Sequence, residues 1–417
     1  MSVQVPKGYK QKEVGVIPED WNSCRLEDFV EFLTGFPFPS NKFSEFGIKL
    51  LRGSNVKRSI IEWDEKITVF WPFEEKYKTK YLLNEGDIVI AMDGSLVGRS
   101  FSFIKEKDLP CLLVQRVARI RSKRVNQEYL KSWVCSNIFT SHCDSVKTVS
   151  SIPHISPNDI WSFKIAFPPS IEEQKAIAEA LSDADALIES LERLIAKKRQ
   201  IKQGAMQGLL TGQRRLPGFS GEWVVKRLDE LADIRSGGTP STSQPQFWDG
   251  DVLWCTPTDI TALNGEKYIF ETSRKITAAG LKVSSAGIIP AGSIVMTSRA
   301  TIGECAINIH PITTNQGFKN FIPLNSVDSE FLYYLLSTQR DGFISLCSGS
   351  TFLEIGKQQL ATYEVLVPNE KSEQTAIAIM LADMDKEIEG LDAKLSKARQ
   401  IKQSMMQELL TGRIRLV

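Results

Sequence analysis

Long apolar runs are missing from this sequence. No stretch of about 18 apolar residues occurs, so a membrane-spanning helix of ordinary length is excluded. The opening MSVQVPKGYK lacks the apolar core of a secretion signal, and the expectation is a cytoplasmic protein. No CxxC pair occurs, and seven cysteines, an odd number, fit free thiols in a reducing compartment rather than a disulfide framework. Net charge is almost absent as well: 51 Lys and Arg stand against 50 Asp and Glu, for a balance of +1. A nucleic-acid reader with that balance must segregate its charge, with basic faces in one place and acids in another.

Catalytic signatures are missing too. No GxxxxGK[ST] phosphate loop occurs, since Gly356-Lys357-Gln358 fails at both ends of the pattern. An adenine methyltransferase needs an Asn/Asp-Pro-Pro-aromatic segment to hold its base. The nearest string, Phe167-Pro168-Pro169-Ser170, lacks both flanking residues. It reads as a stiff lead-in to a helix, with Ser170 as N-cap and Glu173 at the reciprocal capping-box position. Asp64-Glu65-Lys66 is an acid-x-Lys fragment without a well-placed partner acid upstream, and reads as an exposed charge cluster. His142, Cys143 and Cys135 are too few, at the wrong spacing, for structural zinc. The expectation is a chain with no active site and no metal or cofactor of its own.

What is present is a repeat. Residues 176–212 lie over 376–412 without a gap, and 21 of 37 positions are identical. Arg199-Gln200-Ile201-Lys202-Gln203 and Leu209-Leu210-Thr211-Gly212 recur unchanged 200 residues later. A weaker echo runs through the rest. Trp21 with Arg25-Leu26 answers Trp223 with Arg227-Leu228, and Gly86–Met92 resembles Gly292–Ser298 as a strand followed by a loop. The two loops are Asp93-Gly94-Ser95 and Arg299-Ala300-Thr301. Gln115 and Gln316 then stand in matching places, ahead of amphipathic helix candidates at about 127–143 and 328–343 and last strands ending at Pro168 and Pro368. Four blocks result: an α/β (α+β) globule over 1–170, a long helix over 171–212, a second such globule over 213–370 and a second long helix over 371–417.

The long helices carry a coiled-coil seam. Ile377, Leu381, Met384, Ile388, Leu391, Leu395 and Ala398 alternate steps of four and three. Ile177, Leu181, Ala184, Ile188, Leu191 and Ile195 do the same until Lys198, after which Ile201, Ala205 and Leu209 suggest a shifted phase. A bundle within one domain is the plainer alternative. Charge sets the direction. Residues 171–196 hold seven acids and two bases, whereas 197–215 hold six bases and no acid; the second helix has the same polarity. Antiparallel pairing places each basic end beside the other's acidic half, predicting a pseudo-two-fold hairpin of helices that serves two similar globules.

The opening GYKQKEVGVIPEDW, the junction KQGAMQGLLTGQRRLPGFSGEW, the loop SGGTPST and the segment FPPSIEEQKAIAEAL resemble the specificity subunit of a type I restriction-modification system. That resemblance covers essentially the whole chain. It implies two target recognition domains, each reading half of a bipartite, asymmetric site in double-stranded DNA. The paired helices would measure the spacer and dock two modification (methyltransferase) subunits, with restriction/translocase subunits completing the complex. S-adenosylmethionine, ATP and magnesium would then belong to those partners. Two other readings stay open: the specificity subunit of a fused methyltransferase-nuclease system, and a coiled-coil scaffold that binds proteins rather than DNA.

Candidate DNA contacts are chosen by residue type and place. Arg116, Arg119, Arg121, Lys123 and Arg124 form either a phosphate-contacting stripe or the solvent side of a strand. Arg52 and Arg99 in the first globule and Arg299 in the second suit guanine edges, which arginine bridges with two hydrogen bonds. In SGGTPST, glycine would let backbone amides reach phosphate beside Thr239 and Ser241, or would simply make a tight turn. Lys319 and Lys357 complete the set. The aromatics of Thr34–Phe38, with Trp248 and Trp254, read as core. Acids gathered in the N-terminal halves of the helices would leave the globules more basic than the total.

Overall fold

The computed structural model describes residues 5–73, 75–122, 124–347 and 353–416. It divides into two compact units that cut across the four consecutive blocks: residues 1–192 with 394–417, and residues 193–393. Each unit therefore owns one globule, the N-terminal half of the helix that follows it and the C-terminal half of the other helix. No helix among the described residues is long and apolar enough to cross a membrane. All seven cysteines are free thiols.

The first unit is built on a four-stranded antiparallel sheet. Its order is Phe101–Phe103, Ile88–Ala91, Val117–Ser122, Val30–Thr34. A smaller sheet pairs Cys111–Leu113 in parallel with Ile48–Leu51, which pairs antiparallel with Phe70–Trp71. A two-stranded ribbon joins Asn22–Arg25 to Lys164–Phe167. Ile88–Ala91 is buried at every position, as a strand covered on both faces must be.

The second unit repeats this topology. Its larger sheet runs Ala232–Ser236, Phe318–Pro323, Ile294–Thr297, Cys305–Asn308, with Tyr268–Ile269 added at the edge. Trp248–Cys255 lies between Arg274–Ile276 and Thr313–Thr314 in the smaller sheet, and Trp223–Arg227 pairs with Glu364–Pro368. The single helices expected over 127–143 and 328–343 are each two helices: Gln127–Val134 then Asn137–Val146, and Ser329–Thr338 then Arg340–Ser345. In the first unit Ser136 makes the break, its hydroxyl accepting from Phe139 N and donating to Trp133 O.

The long helices span Ile171–Leu209 and Lys371–Leu410. Ser170 Oγ accepts from Glu173 N at 3.3 Å, as an N-cap does. Glu173 does not return the capping bond, because its carboxylate pairs with Arg415. Glu373 takes Arg215 in the same way in the second unit. Each of these arginines also lies over a tryptophan ring, Arg415 over Trp21 and Arg215 over Trp223, both at 5.8 Å.

Within each unit the helix halves run antiparallel. In the first, Glu192 meets Arg399 at 2.6 Å, Asp185 meets Lys402 at 2.5 Å, and Glu173 meets Arg415. In the second, Asp392 meets Arg199 at 2.9 Å, Glu387 meets Lys198 at 2.6 Å, and Asp385 meets Lys202. The expected shift of phase after Ile195 does not occur. Ile201 and Ile401 are 47% and 49% exposed, while the Lys202 and Lys402 side chains are only 23% and 18% exposed. The four-three spacing simply continues through Lys198 and Lys202. Lysine can occupy a seam because its alkyl stem packs there while the ammonium reaches a carboxylate at the margin.

The repeated Leu-Leu-Thr-Gly closes each core. Leu409 and Leu410 pack with Ile17, Trp21, Tyr129 and Ile177 in the first unit. Leu209 and Leu210 pack with Leu228, Phe331 and Ile377 in the second. Ile177, Leu181, Ile377, Leu381, Ile388 and Leu395 are buried, and Ile188, Leu191 and Leu391 are half-buried.

Candidate nucleic-acid interface

In each unit four loops meet where the strands of the two sheets end. In the first they are the turns at Gly35, Arg52–Ser54, Asp93–Ser95 and Gln115–Arg116. Gly35 N donates to Val117 O, Gln115 N to Phe36 O and Met92 N to Arg116 O. A Cβ on Gly53 would lie 3.3 Å from Asp93 Oδ1. In the second unit the corresponding turns are Gly237–Ser241, Thr256–Thr258, Arg299–Thr301 and Asn315–Gly317. Gly238 N donates to Thr314 O, Asn315 N to Cys255 O and Ser298 N to Gly317 O. The two sets even share a local device: Asn55 Oδ1 accepts from Arg52 N at 3.1 Å, and Asp259 Oδ2 accepts from Thr256 N at 2.7 Å. Burial pushes the Asp259 carboxyl up, but hydrogen bonds from Ser273 and Thr256 outweigh it and hold the group below its ordinary value.

The arginine stripe of the first unit does not form a common surface. Arg119 is buried, with its Nη2 3.8 Å from Glu31 and its Nε unpartnered; burial lowers its pKa. Arg121 clasps the buried Asp87, Nη2 to Oδ2 at 2.8 Å. Lys123 lies outside the described residues, and Arg124 is exposed. Among the described residues of the strand group only Arg116 reaches the loop cluster, with Nη1 2.8 Å from Asp93 Oδ2. The strand's alternation fails here as a guide because both faces of Val117–Ser122 are covered at its start.

Arg52 also turns inward. Its Nη2 donates to Ile67 O and its Nε is buried without a partner, so the side chain braces a loop. Arg99 makes two hydrogen bonds to Asp144, at 3.0 and 2.7 Å. With Lys147 it holds the Asp144 carboxyl well below its ordinary range.

In the second unit, Arg299 Nε lies 2.9 Å from Glu354 Oε2. Lys319 is buried beneath, donating to Ser298 Oγ at 3.3 Å; burial lowers its pKa. Lys357 is exposed at the start of Lys357–Ala361. The glycines of SGGTPST do not leave amides open for phosphate. Gly237 N and Gly238 N already donate to Phe318 O and Thr314 O. A Cβ on Gly237 would lie 1.9 Å from Asn315 O, so close packing of backbone on backbone requires glycine. Thr239 bonds Gln316 through its hydroxyl, and Ser241 Oγ lies 2.8 Å from Ser243 Oγ.

Sequence reasoning did not anticipate the anchors of that loop. Trp254 Nε1 donates to Gly238 O at 2.9 Å and Trp248 Nε1 donates to Ser241 O at 3.1 Å, their rings edge-to-face at 4.9 Å. Indole N–H groups in a core need an acceptor, which was the available signal. Asp64 Oδ1 accepts from Lys66 N and belongs to a turn. His142 Nε2 bonds Asp159 O, and Cys143 packs under Gly98. No group of three or more His, Cys, Asp or Glu able to hold a metal occurs among the described residues.

Charge is also distributed unevenly between the globules. Residues 1–170 carry 24 Lys and Arg against 20 Asp and Glu, but residues 213–370 carry 13 against 16. The expectation that the globules are more basic than the total therefore fails for the second, whose acids lie on its strands and short helices as well as its loops rather than only in the long helices.

The model of the "Type I restriction modification DNA specificity domain" family matches residues 18–202 and again residues 220–397. The type I restriction enzyme MjaIX specificity subunit of Methanocaldococcus jannaschii is 41% identical over 172 residues, covering 40% of this chain and 39% of that protein. The EcoAI specificity subunit of Escherichia coli is 31% identical over 182 residues, covering 43% and 30%. These two matches thus span well under half of those relatives. The MjaVIII specificity subunit of M. jannaschii is 25% identical over 436 residues, covering 96% and 94%. The solved S subunit of a type I restriction-modification system from M. genitalium superposes with a TM-score of 0.57 at 13% identity, covering 98% of each chain. A chain from a structure describing complex assembly and conformational transition of the type I R-M system gives 0.62 at 18%, covering 95% and 99%. These last two likenesses concern the fold.

Proposed function

Because the chain belongs to the type I restriction-modification DNA specificity family, we propose that it reads a bipartite, asymmetric DNA site, one half-site per unit, as the non-catalytic specificity subunit of a methyltransferase and endonuclease complex. The observation that carries this reading is a duplicated scaffold with unlike chemistry at matching loops. Arg52 answers Thr256, Asp93 answers Arg299, and Arg116 answers Gly317. One framework carrying two different loop sets suits two different half-sites. The helix pair sets the spacer between them and docks two modification subunits. Restriction/translocase subunits join that assembly. S-adenosylmethionine, ATP and magnesium are bound and used by those partners.

The acid excess of residues 213–370 argues for weak binding by the chain alone, with the modification subunits supplying much of the phosphate contact. It equally favours a second reading, a scaffold that binds proteins. Co-expression with the neighbouring methyltransferase gene, followed by mapping of methylated adenines across the host genome, separates the two. A motif with two short defined halves and a constant gap is expected. No new methylation from an assembled, cofactor-competent complex would move the assignment to the scaffold.

A further inference from the structure

After the central strand of each unit the chain turns through a left-handed residue, Gly94 at φ 103° in the first and Ala300 at φ 56° in the second. The residue just before that turn forms an isolated bridge to a distant segment. Asp93 bridges His154, and Arg299 bridges Glu354. The same place in the fold therefore carries an acid in one unit and an arginine in the other. In both, the outcome is an arginine held by a carboxylate: Arg116 by Asp93 at 2.8 Å and Arg299 by Glu354 at 2.9 Å. These arginines remain accessible, with side chains 68% and 46% exposed.

The holding has further structure behind it. Arg116 sits at φ 65°, a conformation that costs a non-glycine residue energy and persists only where surrounding bonds enforce it. Glu354 lies between two cations, with Oε1 3.9 Å from the buried Lys319 Nζ. A guanidinium has five N–H donors, and one carboxylate uses at most two or three of them. An arginine so paired has lost most of its pull on phosphate while keeping outward donors in a set orientation. That combination suits a base edge, where hydrogen-bond direction decides, rather than a phosphate, where charge decides. A carboxylate at the surface also repels phosphate, so its presence beside each exposed arginine disfavours a backbone-contact role.

We propose that Glu354 is a positioning residue that sets Arg299 to read a guanine in the half-site of the second unit, and that Asp93 does the same for Arg116 in the first. This rests on the DNA-reading function above. The test uses the assembled methyltransferase complex and a random-sequence double-stranded DNA library, comparing the parent with Arg299→Ala, Glu354→Gln and Glu354→Asp. The parent enriches a two-part motif, and Arg299→Ala lowers the preference for one guanine by about 5- to 150-fold, the range for a bidentate arginine contact. Glu354→Gln weakens that preference while the other bases of the motif stay enriched, and Glu354→Asp restores part of it. An unchanged motif in Glu354→Gln, or loss of the whole second half-site in every variant, overturns the positioning role. A parent that enriches no motif overturns the DNA-reading function itself.

Discussion

Gly412 ends the second long helix at φ 69°, and a Cβ there would lie 2.6 Å from Pro18 Cδ. Gly212 ends the first at φ 70°, with the Trp223 ring 3.1 Å from its Cβ position. Alanine at either place costs about 1–2 kcal/mol for the left-handed backbone, and Gly412→Ala adds a clash with a rigid proline ring. Hydrogen exchange followed unit by unit should show Gly412→Ala loosening residues 1–192 with 394–417, and Gly212→Ala loosening residues 193–393 by less. Equal effects on both units would contradict this. The glycines are visible in the sequence as part of a repeat, but their partners are not. The same holds for the arginines. Residue type alone marks Arg52, Arg119 and Arg299 alike, yet Arg52 braces Ile67 O, Arg119 is buried and only Arg299 faces out. Which way a strand-end side chain turns depends on what covers each face, and the covering segments lie far away in the chain.

At the scale of the element, the helices are the most legible part. Acid-rich beginnings and base-rich ends state antiparallel pairing directly, and the ion pairs of each unit realise it. The phase after Ile195 is misread when apolar residues alone are counted and Lys198 and Lys202 are passed over. Lysine is both a long hydrocarbon and a charge, and the seam uses both. The consequence is measurable. Leu395→Ala should cost about 2–5 kcal/mol, as expected for a buried leucine, whereas Ile201→Ser and Ile401→Ser should each change stability by about 0.5 kcal/mol or less. Urea unfolding distinguishes these; a large loss in Ile201→Ser would restore the shifted phase.

At the scale of the whole molecule, the four consecutive blocks regroup into two units whose boundaries fall inside both helices, at 192/193 and 393/394. Leu191 lies beside the first boundary. Four residues inserted after it would lengthen that helix by about 6 Å and rotate its C-terminal half by about 40° beyond a full turn. Under the proposed spacer role, methylome mapping should then show both half-site sequences unchanged with a different gap, or no methylation at all. An unaltered gap would refute the ruler.

The sequence by itself determined the duplication, the two long helices, their direction of pairing and the family. All of these are linear properties: identities at a constant offset, heptad spacing and charge polarity along one element. Tertiary structure alone decided where each unit ends and which side chains it presents. Leu409 completes a core with Trp21, Glu173 pairs with Arg415, and Glu354 holds Arg299. Each of these pairs joins segments distant in sequence, and no local pattern records which acid a given arginine will meet once the chain has closed on itself.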